Sequence, residues 1–504
     1  MRIKRVSAGL FVLLLTLMLA AVAVPAALAQ SGFRPIVLPA TTSVAPNALP
    51  DLAKLASAPR YAIDLTLDPA NLSYTGRQTI TYTNTDTTPL TDIVLRVFPN
   101  SCALYGCGEL KVTGATVGGQ PATTTSDLEN TALRVTLPRP VAPGQKVDVT
   151  LDFQGRVPTN FGPDRQGYGI YNYGPALQTL MLANAYPVLA VRQNGQWVAD
   201  PVYPDGDAVF SPTAFYDVSV TLPGGWSPVA TGSVISDVGA DGTRTVRYSS
   251  GPARDFMLAV APNWNKVSQQ VGETTVNSYY LGDTQAAAEK ALDVGVKSME
   301  IYSQRFGPYP FRQLDIVPAP LFKAAGVEYP GLVLIEAAYY SKPNDPSFET
   351  TVAHEVAHQW WYSTVGNDVI KSPWLDEALT QYASAIYFED RYGKDRFNRL
   401  ISGWERAVDS LVAKGEDDIV GEGLAHFEGG NRYGPVVYIK GPLFFHAIRQ
   451  RLGDEAFYRG LQSYYQQNKY GIATPERLVA AFNGAGGPRI DDLFDKWILK
   501  AEGR

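Results

Sequence analysis

The sequence predicts an α+β protein, with a β-rich N-terminal half followed by a mostly helical half. Three observations carry this. Between about residues 58 and 262, apolar side chains recur at every second position. After Ala261-Pro262 the period changes to that of a helix. In the second half, His354 and His358 stand four apart, which on a helix puts both on one face.

The chain opens with Arg2, Lys4 and Arg5, an apolar run from Leu10 to Val24, and Ala27-Leu28-Ala29 before Gln30. Residues 1–29 therefore read as a secretory signal peptide, with an uncleaved membrane anchor as the alternative. No cysteine follows the run, which argues against a lipid anchor, and no second apolar run is long enough to span a bilayer. The expected location is secreted or extracytoplasmic, at the cell surface or in the periplasm. Residues 30–54, rich in Pro, Ala, Ser and Thr, read as a flexible lead-in. The 504 residues, 45% hydrophobic and 18% charged, suffice for two or three soluble domains. Loss of the leader removes three of 43 basic residues and none of 49 acidic ones, so the net charge becomes 40 minus 49, or −9. That balance argues against nucleic acid as a partner.

Residues 55–265 form the expected β-rich domain. Tyr61, Ile63, Leu65 and Leu67 alternate with small or polar residues, as do Val147, Val149, Leu151 and Phe153, and again Tyr216, Val218, Val220 and Leu222. Gly118-Gly119, Pro143-Gly144 and Asp241-Gly242 supply turns. The pattern predicts mostly antiparallel pairing, and it would suit any β-sandwich equally. Cys102 and Cys107 are the only cysteines. In an exported chain they read as a small loop-closing disulfide, the alternative being two reduced thiols.

Residues 266–504 form the second domain. A helix is expected from Ala286 to Phe306, ended by Gly307 and Pro308. Leu314–Val317 and Leu332–Ile335 read as short strands. A helix from about Phe348 to Tyr362 should be followed by the turn-rich link Val365-Gly366-Asn367-Asp368. Ser372 then reads as an N-cap with Pro373 at the first helical position, opening a helix to about Tyr392. After a polar, glycine-rich stretch from Lys414 to Arg432, helices are expected near Pro442–Leu452, Glu455–Gln467, Pro475–Phe482 and Asp491–Leu499.

The chemistry concentrates in His354-Glu355-Val356-Ala357-His358 and in Trp374-Leu375-Asp376-Glu377. Two imidazoles one turn apart can reach one metal ion. A catalytic zinc takes three protein ligands and keeps one open position, and His354, His358 and Glu377 make such a set. Glu355 then stands beside the metal, where a base must be to take a proton from the attacking water. The other two histidines, His426 and His446, lack ligand spacing.

With these residues in place, HEVAHQWW followed by WLDEALTQY resembles the gluzincin metallopeptidases of the aminopeptidase N family, which carry HExxHxW and then WLNEG or a close variant. The resemblance implies one zinc per chain, a saddle-like β-rich N-terminal domain, and a thermolysin-like catalytic domain over residues 266–504. Ala325-Gly326-Val327-Glu328-Tyr329-Pro330-Gly331 resembles the family's Gly-x-Met-Glu-Asn edge strand. Glu328, with Gly326 beside it, would there bind the free α-ammonium of a peptide. Tyr438 sits in the family's Tyr-x-Lys-Gly context and would donate to the scissile carbonyl oxygen; Tyr433 matches a second tyrosine of some relatives. Ala183–Pro187 and Asp205–Asp207 are similar to segments of shorter bacterial members. The family's N-terminal-domain glutamine has no motif-bearing counterpart, only Gln178 and Gln193 being near. Ala325 and Val327 replace Gly and Met, Asp376 stands for Asn, and Ser384 occupies a position often taken by glutamate. The likeness covers residues 55–500 and omits the long helical C-terminal domain of larger relatives, so an open cleft is expected.

The function so implied is an exported zinc aminopeptidase acting on peptides with a free amino terminus. The alternatives are a zinc endopeptidase or broad peptidase with an open cleft and, more remotely, a non-catalytic peptide-binding module on the same scaffold.

Overall fold

The computed structural model describes residues 40–159, 165–430 and 432–501. The expected signal peptide lies outside these residues. From Ala40 the chain is folded, which corrects the expectation of a flexible lead-in as far as residue 54. Val44 is buried and bridges Phe311. The Ala45 N–H donates to the Pro310 carbonyl at 2.9 Å. A 3-10 run, Pro46–Leu55, follows, and Asp51 pairs with Lys469 at 3.1 Å. Proline content that suggests a loose linker equally suits such a run, because proline fixes φ near the helical value.

Strands β1 (Arg60–Asp68), β2 (Ser73–Thr83), β3 (Lys146–Arg156), β4 (Ala214–Pro223) and β5 (Thr243–Ala253) fill the middle of an eight-stranded sheet in the order β5-β4-β1-β2-β3. β1 and β4 run parallel; the other neighbours among these five are antiparallel. The alternation has the expected cause: Tyr61, Ile63, Leu65 and Leu67 all point into one core while Asp64 and Thr66 stay exposed. Cys102 and Cys107 form a disulfide across the short helix Cys102–Tyr105.

The second half opens with a five-stranded sheet. Its strands are β6 (Asn265–Val271), β7 (Thr274–Tyr280), β8 (Gln313–Ala319), β9 (Gly326–Tyr329) and β10 (Leu332–Glu336), in the order β6-β7-β8-β10-β9. This sheet is the wall between two cores. Leu332 and Leu334 of β10 pack into the β-rich core, and Val333 and Ile335 pack with the helices. The same period of two runs along the edge strand β9. Val327 and Tyr329 join the β-rich core, so Gly326 and Glu328 face the helical side.

On that side lie α1 (Gln285–Phe306), α2 (Pro346–Ala357), α3 (Trp374–Tyr392) and α4 (Gly441–Asn468). α4 is interrupted at Gly453, φ 74°, where two separate helices are expected from sequence. Among the described residues, no helix is long and apolar enough to cross a membrane.

Candidate metal centre and substrate cleft

Helix α2 starts at Pro346 with the Asp345 side chain accepting from the Ser347 N–H at 2.9 Å, an N-cap followed by proline at the first position. It stops at Ala357 rather than near Tyr362 as expected. Beyond it, Trp360 turns under α1, its indole N–H donating to the Gly307 carbonyl at 2.8 Å, and burial of this ring wins over continuation of the helix. α3 likewise starts at Trp374, and Ser372 does not cap it with its side chain. Pro373 already has helical angles. The link is tied by Asp368, whose Oδ1 accepts from the Ile370 and Lys371 N–H groups.

These two helices bring the expected ligands together. His354 Nε2 and His358 Nε2 lie 3.1 Å apart, and Glu377 Oε2 lies 3.3 Å from each. Such a triangle matches one face of a tetrahedron with donors about 2 Å from its centre, the geometry of zinc with N and O ligands. Both imidazoles are held through their other nitrogen. His354 Nδ1 is 2.9 Å from Gln381 Oε1, and His358 Nδ1 is 2.9 Å from the Trp361 carbonyl. Two acceptors there assign the proton to Nδ1 and leave each Nε2 lone pair directed at the shared point. Gln381 thus fills the role opened by Ser384, whose hydroxyl bonds the Thr380 carbonyl instead. Asp376 accepts from Asn367 Nδ2 at 2.9 Å and so ties α3 to the preceding link.

The remaining carboxylates crowd this point. Glu355 and Glu328 are buried, and Glu355 Oε2 and Glu328 Oε1 have no hydrogen-bond partner. Glu328 Oε1 is 3.8 Å from His358 Nδ1. β9 can approach α2 only because residue 326 is glycine: a β-carbon there would lie 2.4 Å from Glu355 Oε1. Burial, then the charges of Glu377 and Asp207, push Glu355 up to about 8 against the pull of His358. Burial and Asp207 raise Glu328 well above the usual carboxylate range. For Glu377, burial is outweighed by the two histidines, and its pKa falls. For His358, burial is outweighed by Glu328, Glu377 and Glu355, and its pKa rises. A cluster so short of positive charge fits a divalent cation.

The site lines a cavity of ≈ 500 Å³. Tyr438 lies in a π-helical turn, Pro435–Lys440, and its hydroxyl donates to Glu377 Oε1. Tyr433 also lines the cavity; its hydroxyl is buried without a partner. The N-terminal domain contributes Tyr168, Asp205, Gly206 and Asp207. Neither Gln178, in a turn, nor Gln193, on a hairpin strand, lines this cavity. Asp207 stands instead within 4.8 Å of carboxylate oxygens of Glu328 and Asp376. Burial and Glu377 raise it to about 7. His426 pairs with Asp418, and His446 lies beside Tyr382 and Gln450, both apart from the metal ligands.

Comparison with known proteins agrees with this geometry. Residues 290–497 match the Peptidase family M1 domain. Aminopeptidase M1-D of Oryza sativa subsp. japonica is 26% identical over 316 residues, covering 57% of this chain and 34% of its own length. Aminopeptidase N of Lactobacillus delbrueckii subsp. lactis is 28% identical over 239 residues, covering 43% of this chain and 27% of its own. The chain thus spans between about a quarter and a third of the length of the curated relatives it matches. In fold, the M1 zinc metallopeptidase of Deinococcus radiodurans superposes with a TM-score of 0.66 at 21% identity, covering 89% of this chain and 95% of that one. A mutant metallopeptidase of that organism, bound to a Tyr-Ser-Ala substrate, gives 0.64 at 20% identity, covering 89% and 96%. Over residues 290–497 the chain is thus similar to the Peptidase family M1 domain and to aminopeptidases that carry it, and it shares the two-part fold of an M1 zinc metallopeptidase.

Proposed function

We propose that this chain is an exported zinc aminopeptidase that removes amino-terminal residues from peptides. The observation that carries the reading is Glu328: a buried carboxylate with one oxygen unpartnered, on the edge strand of the cleft, 3.8 Å from a metal-ligating histidine. A group so placed pairs with a cation, and the cation of a peptide at that depth is its α-ammonium. Asp207 beside it adds a second acceptor from the N-terminal domain.

His354, His358 and Glu377 hold the zinc. When bound, it supplies Lewis-acid polarisation of the scissile carbonyl and eases deprotonation of water. Glu355 takes the proton from the attacking water and passes it to the leaving amine. Tyr438 turns its hydroxyl from Glu377 to the carbonyl oxygen, where negative charge develops. Tyr433 offers its free hydroxyl to the substrate on the same wall. Export rests on the leader read from residues 1–29.

The test is cleavage of one short peptide in free and amino-acetylated forms, with and without a chelator. Chelator-sensitive release of the first residue from the free form alone is the expected result. Equal internal cleavage of both forms would make the chain an endopeptidase. No cleavage of either by the zinc-loaded protein would make it a binding scaffold.

A further inference from the structure

Tyr362 has φ +125°, a backbone region that a bulky L-residue rarely enters. It stands four residues after His358, and every polar group it owns is bonded. Its N–H donates to the Val365 carbonyl at 2.9 Å. Its carbonyl accepts from Arg254 Nε at 2.7 Å. Its hydroxyl donates to Asp255 Oδ2 at 2.7 Å. Arg254 and Asp255 belong to the β-rich half, just beyond β5, and all three residues are buried. Strain of this kind persists only where the surroundings over-determine it, and it gathers at functional sites.

What the strained angle does can be read from the peptide it shares. The N–H of Tyr362 and the carbonyl of Trp361 belong to one peptide plane, and that carbonyl is the one 2.9 Å from His358 Nδ1. With the Tyr362 side chain and carbonyl anchored, its φ sets which way the Trp361 carbonyl faces. The anchor is itself rigid. Arg254 passes over Gly366 so closely that a β-carbon there would lie 2.0 Å from its Cζ. Arg254 also donates to the Gly471 carbonyl. A second group at the imidazole, Thr380 Oγ1, is farther from Nδ1, at 3.2 Å.

We propose that Tyr362, clamped by Asp255 and Arg254, is a positioning residue that aims the Trp361 carbonyl at His358 and so fixes this ligand for the metal. The inference rests on the zinc reading of the site. It makes the β-rich half a part of the metal centre, although none of the three ligands comes from it.

The test measures zinc affinity by competition with a chromophoric chelator in the full chain, together with thermal unfolding of the metal-free protein. Zinc binding by the wild type checks the site itself; the variants check the clamp. Tyr362→Phe, which deletes one oxygen, and Asp255→Leu are expected to bind zinc about 10–100-fold more weakly, the range for groups that orient a metal ligand. Asp255→Asn keeps an acceptor for the tyrosine hydroxyl and is expected to restore most of the affinity. Wild-type affinity in a folded Tyr362→Phe would overturn the proposal, whatever Asp255→Leu does. So would an Asp255→Asn as weak as Asp255→Leu.

Discussion

Gln381 Oε1 lies 2.9 Å from His354 Nδ1, one helical turn beyond Glu377 on the same face of α3. One helix thus carries both a metal ligand and the group that orients another. Removing the acceptor leaves His354 free to rotate or to change tautomer. Gln381→Leu is expected to weaken zinc binding about 10–100-fold, and Gln381→Glu, which keeps an acceptor, to restore it. Chelator competition on the two variants checks this; equal affinity in both would deny Gln381 the role.

Glu355 is separable from the metal. Its side chain touches β9 at Gly326 and is not one of the three atoms that converge between the helices. Glu355→Gln keeps size and burial while removing the proposed base. It is expected to hold zinc like the wild type and to lose about 10²–10⁴-fold in kcat, the usual share of a positioned base. Metal content and turnover measured on one preparation decide it.

The part of this centre legible in sequence is the part built from local chain geometry. His354 and His358 one turn apart, Glu377 early in the next helix, and Gly326 two residues before Glu328 all follow from helix or strand period. Gln381 has the same kind of spacing, four residues after Glu377, and could have been read from it. Asp207 could not. It meets Glu328 through tertiary folding across 121 positions, and the likeness of Asp205-Gly206-Asp207 to a segment of shorter bacterial members assigns it no role. Tyr362 is hidden for a different reason: nothing in a tyrosine announces a positive φ. The lead-in misleads because proline suits both a loose linker and a 3-10 run, and only burial of Val44 chooses between them.

On the proposed aminopeptidase reading, Asp207 and Glu328 make separate demands on substrate. If both accept from the α-ammonium, Asp207→Asn should raise KM for a free peptide by about 10-fold, the worth of one hydrogen bond to a charged group. Its kcat should change little. Glu328→Ala, which removes the deeper and unpartnered carboxylate, should cost more. Steady-state kinetics on a peptide series with free, methylated and acetylated amino termini separates the two. An Asp207→Asn whose loss is the same on all three termini would exclude a role at the ammonium.

Asp315 on β8 carries a pH signature away from the metal. It is buried, and its oxygens accept from Asn277 Nδ2 at 2.8 Å and Gln313 Nε2 at 2.5 Å. Burial outweighs these bonds and raises its pKa from 3.8 to about 6. Between those values the folded chain keeps a proton that the unfolded chain has lost. Stability from this group is therefore greatest at low pH and declines as pH rises to about 6, after which it is level. The size of the decline is on the order of 3 kcal/mol, from roughly two pH units at about 1.4 kcal/mol each. Asp315→Asn cannot titrate. Urea unfolding at pH 4, 5, 6 and 7.5 should show the wild type losing ground to Asp315→Asn up to pH 6 and not beyond. A difference that stays constant across the series would mean that Asp315 is ionised in the folded chain throughout, held by its two amide donors.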